Sequence, residues 1–313
     1  MKKAILRFLA HTKMKLAGLI PSDHNYKNIS RLMMLIILIL SVSAWVDGRD
    51  KGSVRLIVRA DDIGVARSVN EAVIDSYLNG IVTTVELMMP VAWFPDAVRL
   101  LDENPQVNVG LHLTLTSEWE RMKWRPLTNA TSITCSDGYF LPMIWPNPNF
   151  GPHEVLSDAD WCLEEIEAEF RAQIEMGLRH VPRATHITGH MGCGQWHDDV
   201  RELWGRLADE YGLRIFPEEL GVGRMPGWGR ERDLEKRVEI FIRNLRNLEP
   251  GTWLFVEHPA YDTPEIRALG HTGYEDVAAD REGVTRVFTD RRVIEAISEL
   301  GIELISYSDL IRP

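Results

Sequence analysis

The sequence predicts an α/β barrel of about seven mainly parallel strands, and three observations support this fold class. Strand and helix patterns alternate as βαβαβ from residue 54 onward, which is typical of a parallel sheet. Residues 51–313 have about the length of a (β/α)8 barrel. Asp and His residues recur at the ends of predicted strands, which is where the active site of such a barrel lies.

The elements follow from local patterns. Apolar and β-branched runs bounded by turn residues predict strands at Val54–Ala60, Ile81–Met89, Val107–Leu115, Ala184–Thr188, Leu213–Phe216, Trp253–Glu257 and Ile302–Ser306. A capping box at Ser68–Glu71 is expected to open the first helix. Helical periodicity predicts the others at Phe94–Leu101, Ser157–Met176, His197–Tyr211, Glu231–Leu248 and Asp290–Leu300.

Three stretches lack periodicity and are predicted to be loops at the active-site rim. They are Thr116–His153, the Gly-rich Glu218–Trp228, and Ala260–Gly283. Structureless segments as long as the first are usually functional in a compact domain.

The first 50 residues differ from the rest, because they are basic and contain the apolar run Leu32–Val46. This run is shorter than the roughly 20 residues that span a bilayer. It fits the hydrophobic region of a signal peptide, and Val42-Ser43-Ala44 resembles a cleavage site. We therefore predict that residues 1–50 are a signal peptide or membrane anchor with an N-terminal extension, and that residues 51–313 form one barrel domain. The protein would be exported to the periplasm or outside the cell, or anchored through residues 32–46.

Composition narrows the function. The net charge of −11, with 46 acidic against 35 basic residues, does not favour nucleic-acid binding. The three cysteines match no zinc motif and do not suggest a disulfide framework. Ten tryptophans, several of them in predicted loops, suit a carbohydrate partner, although packing is the favoured explanation for any single one. Membrane contact is expected only through the N-terminal segment, and a homodimer is compatible with the sequence.

Chemically capable side chains gather at four predicted strand ends: Asp61 and Asp62 on the first strand, His112 on the third, His186 and His190 on or after the fourth, and His258 after the sixth. Turn caps or core histidines would explain any one of them alone. Four such coincidences at one rim favour an active site. Adjacent strand residues point to opposite faces, so Asp61 and Asp62 are expected to do different work.

One carboxylate and two imidazoles suit a divalent metal with open positions for water and substrate. Asp62, His112 and either His186 or His190 supply this set. Asp61 is then the candidate general base. His258 is the candidate to protonate the leaving group or stabilise the oxyanion. The combination predicts metal-assisted hydrolysis of an amide or ester.

These residues, in this order, resemble the YdjC-like family of carbohydrate deacetylases over nearly all of residues 51–313. The resemblance rests on motifs at Asp61–Gly64, Asn79–Thr84, Gly110–Thr116, Thr185–His190 and His258–Asp262. It implies an irregular TIM-like barrel that uses one divalent metal ion, Mg²⁺ or Zn²⁺, to remove N-acetyl groups from amino sugars such as chitooligosaccharides.

The resemblance also implies roles for individual residues. Asp62, His112 and His190 would bind the metal, with Asp61 as base and His258 assisting. This choice selects His190 over His186, which spacing alone cannot do. The remaining candidates for supporting the ligands or contacting substrate are Arg59, His186, Glu257 and Asp262.

The chain departs from the family pattern at three places. Arg59 stands where Asn is usual, Thr188 where Asp is usual, and Met191–Gly194 where histidines are common. All the expected metal ligands remain, which favours an altered substrate over a loss of activity. Arg59 shares a strand face with Asp61, so its charge is expected to lower the pKa of Asp61 and weaken it as a base.

Two other functions compete with deacetylation. A catalytically weakened glycan-binding protein on the same fold would use the Trp-bearing loop Thr116–His153. A glycoside hydrolase would use an acid pair such as Glu86 and Glu257, but the strand-end histidines would then have no role.

Overall fold

The computed structural model of the protein describes residues 52–311. Within this range the strands are β1 Val54–Ile63, β2 Thr84–Leu87, β3 Asn108–Leu113, β4 His186–Gly189, β5 Gly223–Arg224, β6 Gly251–Glu257 and β7 Glu303–Leu304. The α-helices are α1 Arg67–Leu78, α2 Phe94–Glu103, α3 Leu163–His180, α4 Asp198–Glu210, α5 Leu234–Arg246, α6 Val277–Phe288 and α7 Arg291–Glu299.

The strands form one curled, parallel sheet in the order β4-β3-β2-β1-β6-β5. On one side β1 pairs along its length with β6. On its other side, the first half of β1 pairs with β7 and the second half pairs with β2. Among the described residues no ladder joins β4 to β5, so the sheet is a half-barrel that stays open there. The predicted α/β class and irregular TIM-like barrel are confirmed.

Most of strand β1 is buried on both faces, as the only partial alternation of its apolar residues predicts. Leu56 and Val58 belong to the main core beneath the helices, whereas Ile57 packs with Ile305 and Tyr307 on the inner face of the sheet. Because side chains alternate along a strand, Arg59 and Asp61 follow Ile57 onto this inner face. The apolar inner cluster thus forms the floor above which the polar side chains gather.

The predicted fifth strand, Leu213–Phe216, is wrong. That segment runs without strand pairing into a 3₁₀ turn at Pro217–Leu220, and its apolar residues are explained by burial. The fifth strand is Gly223–Arg224, inside a stretch predicted to be a loop. Gly223 allows the close approach to β6, because a Cβ there would lie 2.8 Å from the Trp253 ring.

Helix starts also differ from the sequence predictions. Helix α1 begins at Arg67 with Ala66 as its N-cap, so the predicted capping box at Ser68–Glu71 is wrong. The long helix α3 begins at Leu163 rather than Ser157. Most of helix α6 lies within the predicted loop Ala260–Gly283, and it continues to Phe288.

The predicted signal peptide or anchor, residues 1–50, lies outside the described residues and stays a prediction, as does the domain division. Within residues 52–311, no helix combines the length and apolar character that crossing a bilayer requires.

A glycine gives two buried polar side chains room to meet across three strands. In register, Gly110 of β3 lies between Glu86 of β2 and His186 of β4. His186 Nε2 lies 2.8 Å from Glu86 Oε1, and both side chains are fully buried. A Cβ at position 110 would overlap both the Glu86 carboxylate and the His186 ring.

We therefore expect Gly110→Ala to lower the free energy of unfolding by about 1–3 kcal/mol, because it overpacks a filled space. Denaturant unfolding followed by tryptophan fluorescence measures this loss. The matched control is Gly205→Ala in α4, where the nearest atom to the new Cβ is 3.4 Å away and helix propensity favours alanine. Equal stability of Gly110→Ala and wild type would contradict the tight fit at position 110.

Candidate metal centre and active site

The end of β1 is irregular, and this irregularity shapes the site. The pairing of β1 with β2 shifts register between Ala60 and Ile63, and Asp62 has a positive φ of 73°. A bulge of this kind breaks the alternation of side chains. Asp61 Oδ2 and Asp62 Oδ1 consequently both approach His112 Nε2, at 3.8 and 3.6 Å. The expectation that the two carboxylates point to opposite faces is wrong, because it assumed a regular strand.

Asp62, His112 and His190 form a buried group whose ligand atoms all lie within 4.8 Å of one another. Asp62 Oδ1 is 3.3 Å from His190 Nδ1 and 3.6 Å from His112 Nε2. This oxygen is buried and has no hydrogen-bond partner. Such an orphan is costly, and a cation between the carboxylate and the two imidazoles would satisfy it. The three residues therefore fit a divalent metal ion.

Hydrogen bonds orient both imidazoles. Thr188 donates its hydroxyl to Glu86, so its oxygen is left to accept from His112 Nδ1 at 2.8 Å. On the other side, His190 Nε2 lies 3.0 Å from Glu118 Oε2. This pattern assigns the protons to His112 Nδ1 and His190 Nε2, and directs His112 Nε2 and His190 Nδ1 toward Asp62.

His186 lies apart from the metal group. It contacts Glu86, and its ring stacks on Tyr307 at 3.9 Å between centroids. The Tyr307 hydroxyl in turn accepts a hydrogen bond from Arg59 Nη1 at 2.9 Å. His186 therefore belongs to the buried support of the site, which agrees with the choice of His190 as the candidate ligand.

Arg59 contacts Asp61 through two hydrogen bonds, from Nε at 2.7 Å and from Nη2 at 2.8 Å. Burial raises the pKa of Asp61, but the Arg59 guanidinium, together with His112 and His258, outweighs burial and lowers the pKa below its usual range. The expected effect of Arg59 on its neighbour is thus present. Asp61 is held ionised and in one orientation.

Two contacts of the metal group were missed by the sequence analysis. Arg281, on helix α6, donates from Nη2 to Asp62 Oδ2 at 2.9 Å. Burial raises the pKa of Asp62, whereas Arg281 and His190 hold it well below the usual range. Glu118, the partner of His190, lies in the long loop. Arg281 lies on a helix and Glu118 lies inside a predicted loop, so the strand-end pattern gave no signal for them.

The two imidazoles differ in proton affinity. Burial lowers the pKa of His112 to about 4. Burial also disfavours the charged form of His190, but Glu118 and Asp62 outweigh it and raise the pKa to about 10. In the protein without a cation, His190 is therefore protonated at neutral pH on Nδ1, which faces Asp62, as well as on Nε2, which faces Glu118, whereas His112 is neutral.

A pocket of about 430 Å³ opens above this group, with Asp61, His112, His190 and Arg281 in its lining. One wall is aromatic. Trp119 stacks on His271 with 5.7 Å between ring centroids, and Tyr274 lies 6.0 Å from Trp119.

His258 also lines the pocket, and its side chain is 38% exposed. Burial lowers the pKa of His258, but the Asp62 and Glu257 carboxylates outweigh it and raise the pKa. Glu257 Oε2 lies 3.8 Å from His258 Nδ1. Asp262 instead pairs with Arg267 at 2.6 Å and is not among the residues that line the pocket.

The curled parallel sheet and the buried Asp-His-His group at the carboxyl ends of its strands define a barrel protein with a candidate metal centre. The profile of the YdjC-like protein family matches residues 55–299, and the chain belongs to that family.

Curated relatives extend the similarity over most of the chain. A carbohydrate deacetylase of Clostridium beijerinckii is 29% identical over 269 residues, covering 82% of this chain and 100% of the relative. A carbohydrate deacetylase of Thermus thermophilus is 30% identical over 239 residues, covering 68% of this chain and 80% of the relative. The crystal structure of an Enterococcus faecalis protein with a proposed role in cellobiose-phosphate cleavage has the same fold. Its TM-score is 0.64 at 21% identity, covering 83% of this chain and 99% of that one.

The proton on His190 predicts a pH-dependent metal affinity. At pH 7.5, Mn²⁺ binding is expected to release about one proton, because the cation displaces the proton of His190, and affinity should rise with pH up to about pH 10. Two histidines of ordinary pKa would release only about 0.2 proton at this pH. Calorimetry in buffers of different ionisation enthalpy measures the number, and a value near 0.2 would contradict the assignment.

Glu118→Gln is the matched variant for that measurement. It removes a carboxylate that raises the pKa of His190 while keeping an acceptor for Nε2. Proton release on Mn²⁺ binding should therefore fall below the wild-type value.

Proposed function

We propose that the protein is a metal-dependent hydrolase that removes acetyl groups from an amino sugar or acetylated oligosaccharide. The observation that carries this proposal is Asp62 Oδ1, which has no hydrogen bond and is buried between two imidazoles, with the Asp61 carboxylate beside it. Relatives named carbohydrate deacetylases, similar over most of this chain, support the same reaction.

Asp62, His112 and His190 would hold one divalent ion, Mg²⁺ or Zn²⁺. Such an ion, when bound, polarises an amide carbonyl and lowers the pKa of water. The remaining chemistry belongs to side chains of the protein.

Asp61 is the proposed general base, which takes a proton from the attacking water. Its pKa is lowered, so it stays ionised across the neutral range. The two hydrogen bonds from Arg59 fix both carboxylate oxygens, and the Tyr307 hydroxyl fixes Arg59. Arg59 thus improves the placement of the base and reduces its strength as a proton acceptor.

His258 is the proposed general acid. Its raised pKa favours the protonated form near neutral pH, and its place in the pocket lining leaves it accessible to substrate. As the carbon–nitrogen bond of the acetamide breaks, the nitrogen takes a proton from His258. The products are a free amino sugar and acetic acid, which ionises to acetate at neutral pH.

The pocket suits a sugar. Its volume lies in the usual range for small-molecule sites. The wall formed by Trp119, His271 and Tyr274 offers apolar ring faces, while Glu118 and the histidines offer hydrogen-bonding groups to hydroxyls.

We further propose that the protein is exported, or anchored in a membrane through residues 32–46. We propose that its partner is carbohydrate rather than nucleic acid, and that it forms a homodimer.

One observation favours a second candidate, a glycan-binding protein with weakened catalysis: the two hydrogen bonds from Arg59 lower the proton affinity of Asp61.

A glycoside hydrolase using Glu86 is disfavoured. Glu86 is fully buried and its two oxygens are occupied by His186 and Thr188.

For the deacetylase, we expect Asp61→Asn to reduce acetate release from N-acetylated chitooligosaccharides by at least about a hundredfold, the usual contribution of a general base. Metal content should stay at the wild-type level, and a chelator should abolish wild-type activity. The measurement is enzymatic detection of acetate together with metal analysis.

Two further variants sharpen this test. Arg59→Gln combined with Asp61→Asn removes the buried charge that the single variant leaves unpaired, and it should be equally inactive. Asp262→Asn is the control, since Asp262 pairs with Arg267 outside the pocket lining, and it should retain activity. Tight glycan binding by wild type without any acetate release would favour the binding protein instead.

A further inference from the structure

Arg281 is a buried arginine whose hydrogen-bonding capacity is only partly used. Its side chain is 6% exposed and Nη2 donates to Asp62 Oδ2 at 2.9 Å. Nε and Nη1 are buried as well and have no partner. Unsatisfied buried donors of a charged group are costly and call for an explanation.

Two other arginines in the described part of the chain show that burial in this fold does not by itself leave guanidinium nitrogens without partners. Arg237 is fully buried, and its Nε, Nη1 and Nη2 all donate to Glu231 or Asp280. Arg59 likewise uses all three nitrogens, on Asp61 and Tyr307. Arg281 differs from both in lining the pocket together with Asp61 and His258.

The surroundings of Arg281 fix its position. Its guanidinium carbon lies 5.4 Å from the centre of the Trp119 ring, and Asp62 holds one end of the fork. Asp62 is also the member of the metal group whose other oxygen faces the imidazoles. Arg281 is therefore held in place at the wall of the pocket in which the proposed reaction takes place.

We propose that Arg281 is a catalytic residue whose guanidinium donates to the acyl oxygen of the substrate, and that the same group binds the acetate product. This inference rests on the proposed deacetylase function. A positive, preorganised donor stabilises an oxygen that gains charge more than it stabilises a neutral carbonyl or hydroxyl.

The reaction balances with this assignment. The oxygen of water bonds to the acyl carbon as its proton passes to Asp61, and the carbonyl electron pair moves to the acyl oxygen, which accepts from Arg281. The carbonyl then re-forms, the carbon–nitrogen bond breaks, and the nitrogen takes a proton from His258. The acid that leaves is acetic acid, which gives its hydroxyl proton to the amine, and the resulting acetate carboxylate faces Arg281; the proton on Asp61 returns to His258.

The test compares Arg281→Lys with wild type. Lysine keeps a cation for Asp62 but lacks the second donor arm. We expect kcat to fall about a hundredfold with KM changed little, because the contact is made chiefly in the transition state. Acetate should bind at least tenfold more weakly, measured by line broadening of ¹³C-acetate, with metal content equal to wild type.

A matched control and a second variant complete the design. Arg267→Lys makes the same change at an exposed ion pair outside this pocket lining, and it should leave kcat and acetate binding unchanged. Arg281→Gln keeps donors without the charge, and it should also weaken acetate binding. If Arg281→Lys does not fold, acetate binding by Arg281→Gln tests whether Arg281 binds the product.

The outcomes are separable. Wild-type kcat and acetate affinity in Arg281→Lys would show that Arg281 only holds Asp62, and loss of metal from that variant would overturn the proposal in the same way. If wild type releases no acetate from any N-acetylated sugar, the proposed function fails. Weaker acetate binding by the Arg281 variants than by wild type would then still support Arg281 as an acyl-oxygen site, and equal binding would overturn it.

Discussion

The left-handed conformation of Asp62 is the constraint on which the site depends. In a regular strand Asp62 would face the helix layer, away from Asp61, and its carboxylate would meet apolar side chains. The bulge turns it toward the inner face, at a cost on the order of 1–3 kcal/mol for a strained non-glycine residue. Contacts with Arg281 and His190 offset this cost. Electrostatic attraction therefore maintains a backbone conformation that the strand itself disfavours.

The inner face is organised as pairs of opposite or complementary groups. Asp61 has Arg59, Asp62 has Arg281, Glu118 has His190 and Glu86 has His186. Each carboxylate is nearly or fully buried, where an unpaired charge would cost several kcal/mol. Arg59 and Thr188, two of the residues at which the sequence departs from the expected pattern, fit this scheme. Thr188 has no carboxylate to offer His112. Its hydroxyl instead accepts from His112 and donates to Glu86, so it connects the imidazole to a carboxylate on another strand.

The sequence predicted the fold class and brought together Asp61, Asp62, His112 and His190, because parallel strands end at one edge and their apolar runs are locally visible. It could not predict the bulge, since no residue pattern marks a positive φ at an aspartate. It missed Arg281 because most of α6 lies in a stretch of weak periodicity, and Glu118 because it lies in a loop without a periodic pattern. Strand β5 has two residues, too few for any periodic pattern.

Glu86, Gly110 and His186 share one volume although they are far apart in the chain. A mutation at any one of them changes what the other two positions tolerate. A larger residue at 110 requires smaller ones at 86 and 186, and a lineage that loses the acid–imidazole pair becomes free to gain a side chain at 110. The three sites should therefore covary among descendants of this chain, as one inherited unit rather than three independent positions.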